Sequence, residues 1–141
     1  MKPGRELDAK VAEKVMGWDH VHCYPGGNIC FGRPDDDYRR DYPNNVAYAK
    51  RVLAYSTDIA VAFTVNKPSW LWEFQETPGT LTVTLYTSFT LRRKAIEMYP
   101  ILPKDVVLIR REWLDDKAAT YAWLRCLAAL EAAGMEVEDA R

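Results

Sequence analysis

Trp70-Leu71-Trp72-Glu73-Phe74-Gln75, then Thr77-Pro78-Gly79, then Leu81-Thr82-Val83-Thr84-Leu85-Tyr86 is the stretch whose reading decides the fold. Trp70, Trp72 and Phe74 alternate with Leu71, Glu73 and Gln75. Beyond the Pro-Gly turn, Leu81, Val83 and Leu85 alternate with Thr82, Thr84 and Tyr86. Successive side chains of a strand point to opposite faces, so a period of two predicts β-strands with one buried face.

Outward from this pair, Val106 to Ile109 is a further apolar run of strand length. The stretch between, Thr90 to Tyr99, fits a strand or a short helix. Asp115 or Asp116 caps a last helix, with Ala119, Trp123, Leu127 and Leu130 along one face, Cys126 and Ala133 flanking it, and Gly134 as its stop. Upstream, Leu7, Val11 and Val15 recur at four-residue spacing, which predicts a helix over Gly4 to Met16. Pro3 suits its first turn and Gly17 its end. Ser56-Thr57-Asp58 offers capping side chains to a helix from about Thr57 to about Val65, ended by Asn66-Lys67-Pro68.

Between Trp18 and Tyr55, Val21 to Tyr24 and Ile29 to Phe31 flank Pro25-Gly26-Gly27-Asn28 as a short hairpin. Arg33 to Asn45 reads as a polar surface loop or an ordered insertion, and Val46 to Tyr55 as a helix turn. Together these elements predict an α/β chain: a compact α/β/α sandwich, its sheet mainly antiparallel, with helices at the N-terminus, middle and C-terminus. The 141 residues suit one domain, 1–141.

With 19 Lys and Arg against 20 Asp and Glu, the chain carries no overall field that would draw duplex DNA. No apolar run approaches the roughly 18 residues of a membrane span. The opening Met-Lys-Pro-Gly-Arg-Glu-Leu-Asp lacks a secretion signal's apolar core, which leads to the expectation of a cytoplasmic protein. Three cysteines, an odd count, predict free thiols rather than a disulfide framework. Five Trp and eight Tyr are many for this length and favour a contact surface as well as a core.

Met1 to Asp8, continuing through Val11-Ala12-Glu13-Lys14-Val15-Met16-Gly17-Trp18, resembles the opening of the phage ABA sandwich domain family. Tyr55-Ser56-Thr57-Asp58-Ile59-Ala60-Val61-Ala62-Phe63 is similar to that family's second helix, and Arg125 to Gly134 to its last. The resemblance implies an α/β/α sandwich carried by tailed phages and prophages, and implies no catalytic residues. Asp19 to Arg51 and Thr90 to Asp115 depart from the short family pattern as additions, where a specialised function would reside.

His20, His22, Cys23 and Cys30 are zinc-type donors. In a hairpin closed by Pro25 to Asn28, however, Cys23 faces Cys30 while the histidines point the other way, so one tetrahedral site does not collect all four. Asp35-Asp36-Asp37 is either a cation site or a solvated acidic turn. Arg92-Arg93-Lys94 and Arg110-Arg111 are either a phosphate-gripping set or charged strand edges. Ser56-Thr57-Asp58 reads as capping, with a phosphate at that helix start as the other reading. Nucleophile elbow, P-loop and dinucleotide fingerprints are missing from the sequence.

The expected function is therefore a non-catalytic phage-encoded binder. It would hold a nucleotide immune signal of the bacterial host between aromatic rings and arginines. Trp18, Tyr38, Tyr42, Tyr48 and Tyr55 would stack, and Arg92, Arg93, Arg110 and Arg111 would grip phosphate; no metal or cofactor is called for. The partner is a small nucleotide-like ligand, with homo-oligomer formation left open. The alternatives are a protein-binding or structural accessory domain, and a phosphodiesterase using His20 and His22.

Overall fold

The computed structural model describes residues 1–26, 29–113 and 115–137. Its elements run α1 (Arg5–Lys14), β1 (Asp19–Cys23), β2 (Cys30–Arg33), α2 (Asp37–Asp41), β3 (Lys50–Arg51), α3 (Ile59–Ala62), β4 (Leu71–Thr77), β5 (Thr80–Tyr86), α4 (Phe89–Met98), β6 (Val107–Glu112) and α5 (Lys117–Ala132). The strands form two three-stranded antiparallel sheets, ordered β1-β2-β3 and β4-β5-β6.

The Pro-Gly turn does what its residues dictate. Gly79 sits at φ 82°, a conformation open to glycine, and β4 pairs with β5 without interruption from Thr77↔Thr80 to Leu71↔Tyr86. Leu81, Val83 and Leu85 of β5 and Ile109 of β6 are buried in the main core with Leu124, Leu127 and Leu130 of α5. The other face carries a smaller cluster, in which Tyr86 and Leu71 meet Leu91 and Ala95 of α4. Helices thus lie on both faces of the β4-β5-β6 sheet. The β1-β2-β3 sheet packs on α1, contributing Cys30 to the same core as Leu7, Val11, Val15 and Trp18.

The N-terminal, middle and C-terminal helices pack as one unit. Asp8 of α1 is buried and accepts the backbone N–H and the hydroxyl of Ser56, both at 2.7 Å, and the Gly4 N–H donates to the Ser56 hydroxyl at 2.9 Å. Burial raises the Asp8 carboxyl above its ordinary value, against the lowering effect of the Ser56 bonds and Arg5. Arg125 of α5, also buried, donates to the carbonyl of Ala62 at 2.9 Å and to that of Phe63 at 3.4 Å, closing the end of α3. Its guanidinium lies 4.0 Å from the Trp72 ring centre.

Three local expectations change. The Thr90–Tyr99 ambiguity resolves as α4, because Ser88 caps it by accepting the Leu91 N–H at 3.1 Å and Leu91 and Ala95, four residues apart, pack together on the sheet. Val46 to Tyr55 makes no helix turn; Lys50 and Arg51 extend the sheet, paired with Gly32 and Phe31. Cys23 and Cys30 are not free thiols: the expected cross-strand register brings them together as a disulfide, leaving Cys126 free and buried. A count of cysteines does not carry that register. No described helix is long and apolar enough to cross a membrane.

Candidate partner-binding surface

The residues nominated for a nucleotide pocket do not converge. Trp18 and Tyr55 are core residues, 8% and 2% exposed. Burial pushes the Tyr55 phenol up to about 12. Tyr38, Tyr42 and Tyr48 do meet: the Tyr38 ring lies 4.8 Å from Tyr42 and 4.1 Å from Tyr48. The cations beside them are matched by carboxylates within the chain: Arg39 by Asp35, Arg40 by Asp35 and Asp37, and Lys50 by Asp36. Arg92 and Arg93 lie on α4, on the other sheet. Arg110 and Arg111 are neighbours on β6 and therefore turn to opposite faces, Arg110 donating to the Thr82 hydroxyl at 3.1 Å.

The histidines occupy a bulge. The β1–β2 register shifts between Asp19 and His22, and His20 adopts φ 52°, a strained value for a residue with a Cβ. Its Nδ1 lies 3.1 Å from Asp19, whose carboxylate receives two 2.7 Å bonds from Arg33 and is held far below the ordinary carboxylate range by them. His22 instead sits against Tyr24, ring centres 5.7 Å apart. Asp19 is thus committed to the buried Arg33, which also binds the carbonyls of Pro43 and Asn45 and so anchors the 33–45 segment. Among the described residues, no group of three or more His, Cys, Asp or Glu is placed to hold a metal ion.

The surface the sequence reading missed is built on α4. The Ser88 cap starts the helix at Phe89, so Leu91 and Ala95 turn inward, Phe89, Arg93 and Ile96 turn outward, and Arg92, half-buried, reaches Glu73 of β4. Phe89 is 62% exposed and Ile96 63%. The chain then turns, the Ile101 N–H bonding the Met98 carbonyl at 2.9 Å, and presents Tyr99 at 83% and Ile101 at 67%, with Leu102 beside them. These side chains make an apolar ridge. A shallow cleft of about 350 Å³ opens between Phe89, Arg92, Arg93, Ile96 and Glu97.

The charges on the ridge are unevenly committed. Arg92 donates to Glu73 at 3.2 Å, and Glu73 also accepts the Tyr86 hydroxyl at 3.1 Å. Arg93 lies over the Phe89 ring at 5.7 Å, leaving its donors toward solvent. The signal for this surface lay in the excess of large apolar residues from Phe89 to Leu102 over what one helix face needs. A larger cleft, about 620 Å³, lies where β6 begins beside the end of α5, and mixes Lys104 with Asp105 and Glu131. No family model matches the chain, and neither a curated protein nor a solved structure matches it.

Proposed function

We propose that the chain is a non-catalytic protein-binding module whose working surface is the α4 ridge. The observation that carries this reading is the exposure of Phe89, Ile96, Tyr99 and Ile101 along one short segment, α4 and the turn that follows it. A contiguous apolar patch rimmed by polar groups is the usual mark of a protein interface, and it is an aggregation liability if nothing covers it. Arg93 and Lys94 at its border suit a partner whose apolar segment is flanked by acidic residues. The ridge also falls almost wholly within 90–115, one of the two stretches that depart from the phage ABA sandwich pattern. The family-like blocks, by contrast, are spent on the Asp8–Ser56 and Arg125 contacts of the scaffold.

A photo-crosslinking side chain at Ile96, in cells producing the chain, tests the reading. The expected result is one stoichiometric protein captured there and not from the same group at Tyr24, which is also exposed but lies on the other sheet's hairpin. Identical capture at both sites, or none at Ile96, overturns it.

Nucleotide sequestration stands as a second reading because Tyr38, Tyr42 and Tyr48 form a cluster of tilted, partly exposed rings. Calorimetry with cyclic and ADP-ribose-type nucleotides decides it: heat that disappears in Tyr42→Ala supports it, and no heat retires it. Both readings place the chain in the cytoplasm of an infected bacterium, where the Cys23–Cys30 bridge has to persist against a reducing thiol pool. Alkylation and mass measurement of protein taken straight from cells reads this out. A fully oxidised pair argues for an oxidising compartment instead.

A further inference from the structure

Every sheet edge exposes a row of backbone N–H and C=O groups, and folded proteins guard such edges with short strands, bulges, proline or charge. Among the described residues, three of the four sheet edges are guarded. β1 carries the bulge at Asp19 to His22, β3 is two residues long, and β6 carries Arg110 and Arg111. β4 is different. It runs seven residues in unbroken register with β5, contains no proline or lysine, and is exposed or half-exposed throughout. Its two acids are matched within the chain, Glu73 by Arg92 and Glu76 by Lys117 at 3.1 Å.

The outward groups can be assigned. Thr77 and Thr80 flank the two-residue Pro78-Gly79 turn and exchange ladder bonds, so alternation turns the N–H and C=O of Trp72, Phe74 and Glu76 away from β5. Among the described residues, these groups have no backbone partner beyond β5.

We propose that β4 pairs antiparallel with β4 of a second copy, about a two-fold axis through Phe74. In this register all of Leu71 to Thr77 overlaps, and every outward N–H and C=O finds a partner. Trp72 faces Glu76 of the other copy, Glu73 faces Gln75, and Phe74 faces Phe74, so no charge opposes its like. Slipping the pair by two residues sets Glu73 against Glu73, a destabilising contact, or, in the other direction, shortens the overlap. At the axis Phe74 is 38% exposed and its ring lies tilted against Tyr121, centres 4.1 Å apart, with Phe63 5.6 Å beyond and 55% exposed. The two copies thereby join these rings into one aromatic floor beneath a continuous sheet. Such an isologous contact closes on itself and gives a dimer, not a fibre. The inference goes beyond the module reading and uses β4, not α4, so the two stand or fall separately.

Sedimentation velocity on the full chain, over a wide concentration range, tests it. The wild type is expected to sediment as a dimer. Glu76→Pro removes an outward N–H that the monomer does not use, together with an exposed pair to Lys117 that contributes little, so circular dichroism stays near wild type while dimerisation weakens roughly tenfold or more. Phe74→Lys and Phe74→Glu are each expected to be monomeric, and an equimolar mixture of the two to regain the dimer, because residue 74 meets its own copy at the axis. A wild type that is monomeric throughout, a dimer indifferent to Glu76→Pro, or a mixture that stays monomeric overturns the proposal. A monomer that still crosslinks a partner at Ile96 removes only this inference; a dimer with no crosslinked partner removes only the module reading.

Discussion

α4 and α5 lie against opposite faces of one sheet and dispose of their apolar residues in opposite ways. From Ala122 to Leu130, α5 is buried on every side, held between the β4-β5-β6 sheet and helices α1 and α3. Only Ala95 of α4 is fully buried, while Phe89 and Ile96 stand in water. A helix that is apolar all round belongs to a core. A helix that buries a small inner face and keeps large apolar residues outside contributes little to the isolated fold through them. The difference separates residues that hold the chain together from residues left available to bind.

The largest expected effect lies on α5. Leu127→Ala removes a fully buried side chain from the main core and is expected to cost about 2–5 kcal/mol, measured by urea unfolding. Ser56→Ala comes next. It takes one donor from the buried Asp8 carboxylate and leaves the Gly4 N–H without its hydroxyl partner, at a cost of about 1–3 kcal/mol. At Gly32 an added Cβ would come within 2.9 Å of Val21 and 3.2 Å of Trp18, so Gly32→Ala is expected to strain the β1-β2-β3 sheet by about 1–3 kcal/mol and lower Tm.

Two carboxylates sharpen the contrast between core and surface through pH. Asp19 is lowered by its Arg33 bonds, so the native state binds its proton less readily than the unfolded chain does. Its contribution is present above the unfolded value, about 3.9, and is lost as pH falls towards the folded one. Asp8 is raised by burial, so its contribution is present at low pH and is lost as pH rises through the folded value. The stability deficit of Asp19→Asn is therefore expected to shrink on acidification from neutral pH, while that of Asp8→Asn grows. Unfolding curves for both variants across that window check the signs.

Much of the scaffold was legible because each element carried its own local signal. Leu7, Val11 and Val15 traced α1. Ser56-Thr57-Asp58 and the Asp115-Asp116 pair marked the starts of α3 and α5, where Asp58 and Asp116 are the caps, and Gly134, at φ 89°, closes α5 with Met135 N–H on the Leu130 carbonyl at 3.0 Å. The α4 segment was harder because a helix stripe presupposes one apolar face, and here apolar residues occupy two. The nucleotide pocket was assembled from residue types alone, and type does not carry direction: Trp18 and Tyr55 point into the core, and Arg110 and Arg111 part across the sheet. Nor did the sequence show that Asp8 and Ser56 bind each other.

The smallest expected effect on stability is also the most direct test. Ile96→Ser with Tyr99→Ser alters only exposed side chains, and such changes usually stay within about 0.5 kcal/mol. The measurement is Tm of the double variant together with the amount of partner that copurifies from producing cells. The expected result is an unchanged Tm with the stoichiometric partner lost. A Tm that falls as it does for Leu127→Ala, or a partner retained in full, contradicts the assignment of α4 as the binding surface.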